Sequence, residues 1–436
     1  MHRQILRLAV PNIISNITVP LLGAVDLAMM GRLDGLVFAG AVSLGAMIFN
    51  FMYWALGFLR MGTAGFTAQA FGAGDEAEQG RILGRGLILA LGGALLLWLL
   101  QDAVLAGARW YMDPEAELWA ATTAYFKIRI WGAPAAIAAF AFGGWFIGMQ
   151  NTRIPMWIAI AVNVFNILFN YLFVFTLDLK VDGVAYGTVA AQYLGLGLNL
   201  FCLYRFYPIA LRHLRDRAVW HKSAFGRFLN VNKDVFLRTL LIIAVFSFFT
   251  AESARYGNTT LVMNTILYEF FIFFSYAVDG FAHAAEALVG RFTGEGRPRK
   301  KRRCIRAIFL WGTGMAVLFA GVYAAAYTPI LHLFTKEAAV WQAARPYLPW
   351  VLAMTLVGFP AFLWDGVYAG GLRTQAMLYT MLTAAAAYFG LYYATRGLWG
   401  NHALWAALVA FLLCRGLLMT LFYRPERHIN AAGRTD

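Results

Sequence analysis

Residues 86–100 read GLILALGGALLLWLL, fifteen consecutive residues without a charged side chain. They belong to a longer apolar segment, 81–108. An α-helix needs about 20 apolar residues to cross the hydrocarbon of a bilayer. This segment is long enough, so it predicts a transmembrane helix.

The rest of the chain repeats this pattern. Of the 436 residues, 61% are hydrophobic and 13% are charged, whereas a water-soluble chain has about 25% charged and 45–50% apolar residues. We therefore expect an all-α polytopic membrane protein with twelve transmembrane helices. The predicted segments are 4–31, 36–70, 81–108, 118–149, 154–176, 183–210, 234–256, 260–292, 304–333, 343–371, 375–396 and 401–423.

The net charge of +14 is sorted onto alternate loops. Arginines and lysines are dense between helices six and seven (212–233) and between helices eight and nine (297–306), whereas Asp34, Asp113 and Asp178 mark loops on the opposite side. Because basic loops stay in the cytoplasm, both termini are expected there. We interpret the basic runs as solvated anchors that also contact anionic lipid, and we expect no nucleic-acid partner.

Several functional classes are poor fits to the sequence. Three cysteines, Cys202, Cys304 and Cys414, lie about a hundred residues apart, a spacing that gives neither a CxxC metal site nor a disulfide framework. The chain contains no Walker A, HExxH or GxSxG pattern, which argues against powered ATPases and the commoner hydrolases. We expect no enzymatic activity, no cofactor and no bound metal.

The chain also contains an internal repeat. The stretch GMQNTR at 148–153 follows helix four, and GGLRTQ at 370–375 follows helix ten, with matched Gly and Thr positions 222 residues apart. We predict two six-helix lobes, 1–210 and 234–436, joined by a basic linker, 211–233. Repeats with an even number of helices have the same orientation, so a cleft between them is expected, as in transporters that work by alternating access.

Polar residues inside the predicted helices of the first lobe are candidates for ion coupling. A carboxylate at the centre of a transmembrane helix costs about 2.5–3.5 kcal/mol on insertion scales, and Asp26 lies within helix one. Asn163, Asn166 and Asn170 share one face of helix five, since their spacings are three and four. With Thr188 of helix six they are predicted to surround Asp26. The alternative is that the amides only hold helices together.

The second lobe has a different set of polar residues. Helix eight has Glu269, Asp279, His283 and Glu286, and helix ten has Asp365. Asp279, His283 and Glu286 share a face, but the spacing is not a strong zinc pattern, and we favour a structural role. Glu252 and Arg255, near the outer end of helix seven, are interpreted as interfacial.

A series of motifs resembles one transporter family along nearly the whole chain. In order, they are LAVPNI at 8–13, VDLAMMGRL at 25–33, NILFNYLF at 166–173, NKDVFLRT at 232–239, DGFAHAAE at 279–286, DGVYAG at 365–370 and GNHALW at 400–405. Each motif is weak alone. In this order they resemble the multidrug and toxic compound extrusion (MATE) family, and specifically its DinF-like branch.

The resemblance implies cation-coupled export of small amphipathic, often cationic, organic compounds from a bacterial inner (plasma) membrane. It assigns protonation to Asp26, acting with Asn166, Asn170 and Thr188, and bending of helix one to Pro11. Asn170 departs from the pattern, because many relatives have an acid at this position. The coupling ion is expected to be H⁺, and the protein is expected to be a monomer.

Two other kinds of transporter remain as alternatives to a proton-coupled exporter, and a third alternative is an enzyme. Sodium coupling would use an acid in the interior of helix seven; residues 235–250 contain none, although Asp365 matches the helix-ten acid of the sodium-coupled branch. A lipid-linked precursor flippase would need a basic cleft, for which Arg60, Arg129 and Arg238 are the deeper arginines. A membrane-embedded enzyme would have to use the acid and histidine face of helix eight.

Overall fold

The structure, a computed structural model, describes the backbone of residues 1–30 and 36–423, and the side chains of 1–18, 29 and 37–423. Within these ranges the chain forms sixteen α-helices and no β-strand. The first eight are α1 His2–Met30, α2 Leu36–Leu56, α3 Phe58–Ala73, α4 Glu76–Met112, α5 Ala116–Arg129, α6 Ala133–Gly148, α7 Arg153–Tyr171 and α8 Lys180–Phe206. The others are α9 Pro208–His213, α10 Lys222–Arg255, α11 Asn258–Gly294, α12 Pro298–Phe334, α13 Ala338–Ala344, α14 Leu348–Gly370, α15 Thr374–Trp399 and α16 Asn401–Phe422.

The described helices group into the twelve expected segments. α2 and α3 are separated only by Gly57, α5 and α6 by the turn Ile130–Gly132, and α13 and α14 by the turn Arg345–Tyr347. Each pair therefore makes one long segment, and α9 is a short connector. Nine segments in the described part of the chain are long and apolar enough to cross a membrane. The prediction of an all-α, twelve-helix, multi-pass membrane protein is confirmed.

The seventh predicted helix, which is α10 in the structure, begins before its apolar stretch. We predicted a start at residue 234, but α10 starts at Lys222. Hydropathy marks only the part of a helix that lies in hydrocarbon, whereas lysine and arginine are good helix formers in water. Most of the basic segment 211–233 is consequently helical.

Contacts divide the chain into two compact units. One comprises 14–232, and the other comprises 1–13 together with 233 onward. Both divisions fall inside a helix, α1 in the first case and α10 in the second. The assignment of 1–210, 211–233 and 234–436 as lobe, linker and lobe stays a prediction.

The same close helix contact occurs in both units. In the unit 14–232, a Cβ placed on Gly144 would lie 2.1 Å from the Arg60 carbonyl oxygen, so α6 touches α3 through its backbone. In the other unit, a Cβ on Gly366 would lie 2.0 Å from the Ala282 carbonyl oxygen, which brings α14 against α11. Small residues allow such close approach between transmembrane helices. Both partners are displaced by 222 residues, so the packing repeats at the offset seen in the sequence.

The basic segment after α8 is held against the start of α4. The buried Arg85 side chain donates from Nε to the Val219 carbonyl (3.1 Å) and from Nη2 to the Ala218 carbonyl (3.2 Å). Asp216 accepts hydrogen bonds from His213 (2.9 Å) and Arg81 (3.2 Å). The hydrogen bond from His213 contributes most, and together with the bond from Arg81 it lowers the pKa of the Asp216 carboxyl below its ordinary value. Part of the predicted solvated anchor is thus fixed in place.

Candidate functional site

Three of the predicted polar residues form one hydrogen-bonded chain. Asn170 Nδ2 donates to Asn166 Oδ1 (3.0 Å), Asn166 Nδ2 donates to Thr188 Oγ1 (3.2 Å), and Thr188 Oγ1 donates to the Val184 carbonyl (2.9 Å). Asn166 and Asn170 are both buried. The chain of bonds links α7 to α8, and all of its donors point in one direction, away from Asn170.

Glycines on α8 make this contact geometrically possible. A Cβ on Gly187 would lie 2.1 Å from Asn170 Oδ1 and 2.9 Å from Asn170 N, and one on Gly183 would lie 2.9 Å from the Phe173 carbonyl carbon. Gly183 and Gly187 are four residues apart and therefore lie on the same face of α8. Any larger side chain there would separate the helices and break the bond between Asn166 and Thr188.

The remaining members of the predicted set lie on or near α1. Asn163 Nδ2 donates to the Thr18 carbonyl at 3.4 Å, which connects α7 to α1. Asp26 lies within α1, but its side chain is outside the described residues. Pro11 also lies within α1, where it is buried, and a Cβ on Gly280 of α11 would lie 2.9 Å from the neighbouring Ala9 carbonyl oxygen.

Removing the Thr188 hydroxyl tests the energetic weight of this chain. Thr188→Val is expected to lower stability by about 1–2 kcal/mol, because the buried Asn166 amide then loses its acceptor in an apolar setting. Thermal unfolding of the purified protein in detergent measures the change. Thr188→Ser is the matched control, since it keeps the oxygen, and it is expected to stay close to wild type. Equal stability of the Val and Ser variants would contradict the assignment.

Asp365 of α14 sits between two arginines. Asp365 Oδ2 accepts from Arg415 Nη2 of α16 at 2.8 Å and also from Arg238 Nη2 of α10. All three side chains are buried. Arg415 is also 5.3 Å from the centre of the Phe411 ring. Sequence reasoning noted Arg238 only as a deep arginine and missed Arg415, although an arginine within an otherwise apolar helix was a usable signal.

The acids and histidine of α11 do not form a metal site in the described residues. No group of three His, Cys, Asp or Glu side chains there is placed to hold a metal ion. Glu286 is buried, whereas Asp279 and His283 are half-buried, and the Asp279 charge acts on Arg415. Glu269 is half-buried beside Tyr268.

Glu252 lies near the end of α10, as expected, and its interpretation as interfacial stays a prediction. It is buried, its Oε2 accepts from the Tyr392 hydroxyl at 2.9 Å, and its Oε1 pairs with Arg255 Nη1 at 2.8 Å. Hydropathy places it near a helix end, but α15 covers it through Tyr392.

Next to Glu252 in sequence, Ser253 accepts from Asn264 Nδ2 at 2.7 Å, and Asn264 Oδ1 accepts from Trp405 at 2.9 Å. A polar layer thus joins α10, α11, α15 and α16.

Comparison with known proteins gives a consistent family. The MatE family model matches residues 11–172 and 235–393. The DNA damage-inducible protein F of Escherichia coli K12 is 36% identical over 96% of this chain and 91% of its own length. A probable multidrug resistance protein NorM of Thermotoga maritima is 22% identical over 97% and 92% of the two chains.

Solved structures share the architecture. The Vibrio cholerae MATE transporter VcmN in its bent form matches with a TM-score of 0.83 at 20% identity, covering 96% of this chain and 95% of its own. The eukaryotic MATE transporter AtDTX14 matches with a TM-score of 0.84 at 14% identity, covering 96% and 94% of the two chains. At sequence identities this low, the structural similarity shows that the chains share a fold.

Proposed function

The chain belongs to the MatE family, and on that premise we propose that it is a secondary active exporter rather than an enzyme. It exchanges small amphipathic organic cations for protons by alternating access. Its place is the plasma membrane of a bacterium, with both termini in the cytoplasm, where it works as a monomer in contact with membrane lipid. The observation that carries this proposal is the buried chain from Asn170 through Asn166 to Thr188.

In the proposed mechanism Asp26 is the proton carrier. Asn166, Asn170 and Thr188 are neutral and do not titrate near neutral pH, so they serve as fixed hydrogen-bonding partners. Protonation removes the charge of Asp26 and changes how α1 interacts with the amide face of α7. Asn163 supports this coupling, because it already bonds to the α1 backbone at Thr18.

Pro11 is the proposed hinge. Proline lacks an N–H group and cannot donate the backbone hydrogen bond of an ordinary helical residue, so it weakens the helix at that turn. The contact of Gly280 with Ala9 and Ile13 holds the segment beside Pro11 against α11. A bend in the turn that contains Pro11 would therefore move the part of α1 beyond Ile13 relative to the segment held against α11.

One proton per cycle supplies enough free energy. Moving one charge through 100 mV is worth about 2.3 kcal/mol, and each pH unit adds about 1.4 kcal/mol. With a pH difference of one unit these two terms total about 3.7 kcal/mol, which sustains a concentration ratio of several hundredfold for a neutral substrate exchanged with one proton. A singly charged organic cation exchanged with one proton moves no net charge, so only the pH difference drives its export, about tenfold per pH unit. A single titrating acid is thus energetically sufficient.

The surroundings of Asp365 favour protons over sodium as the coupling ion. They also favour an exporter of organic cations over a flippase of lipid-linked precursors. Two guanidinium groups already bind one oxygen of Asp365, so a sodium ion would have to displace a tethered positive charge. The same pairing removes Arg238 from the arginines able to bind the pyrophosphate of a lipid-linked precursor. Sodium coupling and lipid transport remain the alternatives that the experiment must separate.

An ion-gradient experiment tests the proposal. The protein is reconstituted in vesicles, and efflux of a fluorescent cationic dye is followed under an imposed pH gradient. We expect the pH gradient to drive efflux and a proton ionophore to abolish it. A sodium gradient at constant pH should have no effect. Transport driven by sodium alone would contradict proton coupling, and binding of a lipid precursor without dye transport would favour the flippase.

A further inference from the structure

The second repeat has aromatic residues where the first has its amide face. Adding the offset of 222 takes Asn166 to Tyr388 and Asn170 to Tyr392, both on α15, and takes Asp26 to Phe248 on α10. One helical turn after Phe248 stands Glu252. The position that corresponds to the proposed proton site is thus an aromatic ring, and a buried carboxylate lies one helical turn beyond it.

Phe248 is the centre of this aromatic cluster. Its ring centroid lies 5.1 Å from that of Phe389, 5.3 Å from Tyr392, and 6.0 Å from both Tyr388 and Tyr393. Tyr393 is about half exposed, so the cluster extends from the interior of the unit to its surface. Aromatic faces attract organic cations within about 6 Å of the ring centre.

A cation already binds one of these rings. The Arg396 guanidinium carbon lies 5.0 Å from the Tyr393 ring centroid. Arg396 and Tyr393 lie on the same helix, so the exposed edge of the cluster already packs against a positively charged planar group of the protein itself.

The carboxylate has an exchangeable counter-ion. Glu252 is buried, but its ion-pair partner Arg255 has a side chain that is 73% exposed. A buried carboxylate needs a nearby positive charge, because desolvation of an unpaired charge is costly. Arg255 supplies that charge from the surface, and its exposed side chain is free to turn into solvent when another cation arrives.

A second buried polar group lies in the same cluster. Tyr388 is fully buried, and within the described residues its hydroxyl has no hydrogen-bond partner. The Glu252 charge acts on Tyr388. An unpaired buried hydroxyl is unfavourable, and a ligand with a polar positive group would satisfy it.

We propose that Glu252, Tyr388, Tyr392 and Phe248 form a second cation site, in which the positive group of an aromatic organic cation replaces the Arg255 guanidinium. This site lies outside the amide face to which the proposed proton coupling is assigned. It gives the second repeat a role in recognising the transported class of compound. The inference rests on the proposed function only in treating organic cations as substrates.

Equilibrium binding to the purified full-length protein tests the site without any ion gradient. The probe is ethidium, a flat aromatic cation with amino groups, and uncharged phenanthridine is the neutral comparison, both measured by equilibrium dialysis. Glu252→Gln is expected to weaken ethidium binding at least tenfold and to leave the neutral compound unaffected. Arg255→Gln is expected to tighten binding severalfold, because it removes the competing cation. Glu337→Gln, at an exposed acid before α13, is the matched control and should bind like wild type.

The opposite signs of the two effects separate a binding site from a structural ion pair. If Arg255→Gln weakens binding as Glu252→Gln does, the pair is structural and the proposal is wrong. If neither changes binding, the probe binds elsewhere and the proposal is equally overturned. Should Glu252→Gln fail to fold, Glu252→Asp and Arg255→Gln decide the matter. Because no gradient is used, these results are independent of whether protons drive transport.

Discussion

Asp26→Asn is expected to reduce proton-driven dye efflux at least a hundredfold, to the level of vesicles without protein. Asparagine resembles aspartate in shape but does not exchange a proton. Asn166, Asn170 and Thr188 are also neutral, so no member of the hydrogen-bonded chain takes over the role. Efflux under a pH gradient measures the effect directly, and thermal unfolding in detergent shows whether the variant is folded.

Two companion variants make this prediction specific. Asp26→Glu retains a titrating group and is expected to keep a measurable fraction of the efflux. Asp26→Asn should still bind ethidium, because the proposed site at Glu252 lies in the other repeat. An Asp26→Asn protein that transports as well as wild type would refute Asp26 as the proton carrier and leave the fold and family unaffected.

Much of the N-terminal site was predictable because its signal is local. Spacings of three and four place amides on one helix face, and the order of helices in the membrane sets the depth of each residue. Asn166, Asn170 and Thr188 were brought together by these two rules, and the structure places them within hydrogen-bonding distance. The twelve helices followed from hydropathy for the same reason.

The sites of the C-terminal unit were not predictable in the same way. Arg238 and Asp365 are 127 residues apart in sequence, and Arg415 is 50 residues beyond Asp365. No spacing rule pairs side chains on three separate helices. The burial of Glu252 was not predicted, because hydropathy locates the end of an apolar stretch but not the helix that covers it. Its partner Tyr392 is 140 residues away.

The second large effect is expected at Asp365. Asp365→Asn should destabilise the protein by about 3–5 kcal/mol, because it leaves Arg238 and Arg415 buried without the carboxylate that both bind. Thermal unfolding in detergent measures the loss. Asp102→Asn, at an exposed acid of α4, is the matched control and should change stability by no more than about 0.5 kcal/mol.

A third variant distinguishes pairing from sodium binding at the same residue. Replacing Arg238, Asp365 and Arg415 together by methionine, leucine and methionine should recover much of the lost stability, because a buried ion cluster exchanged for apolar side chains of similar volume is often neutral. If Asp365 instead bound sodium, added sodium would stabilise the wild-type protein but not Asp365→Asn. Two guanidinium groups on one carboxylate oxygen already provide the positive charge that a sodium ion would bring. We therefore expect the unfolding temperature of the wild type to be independent of sodium concentration at constant ionic strength.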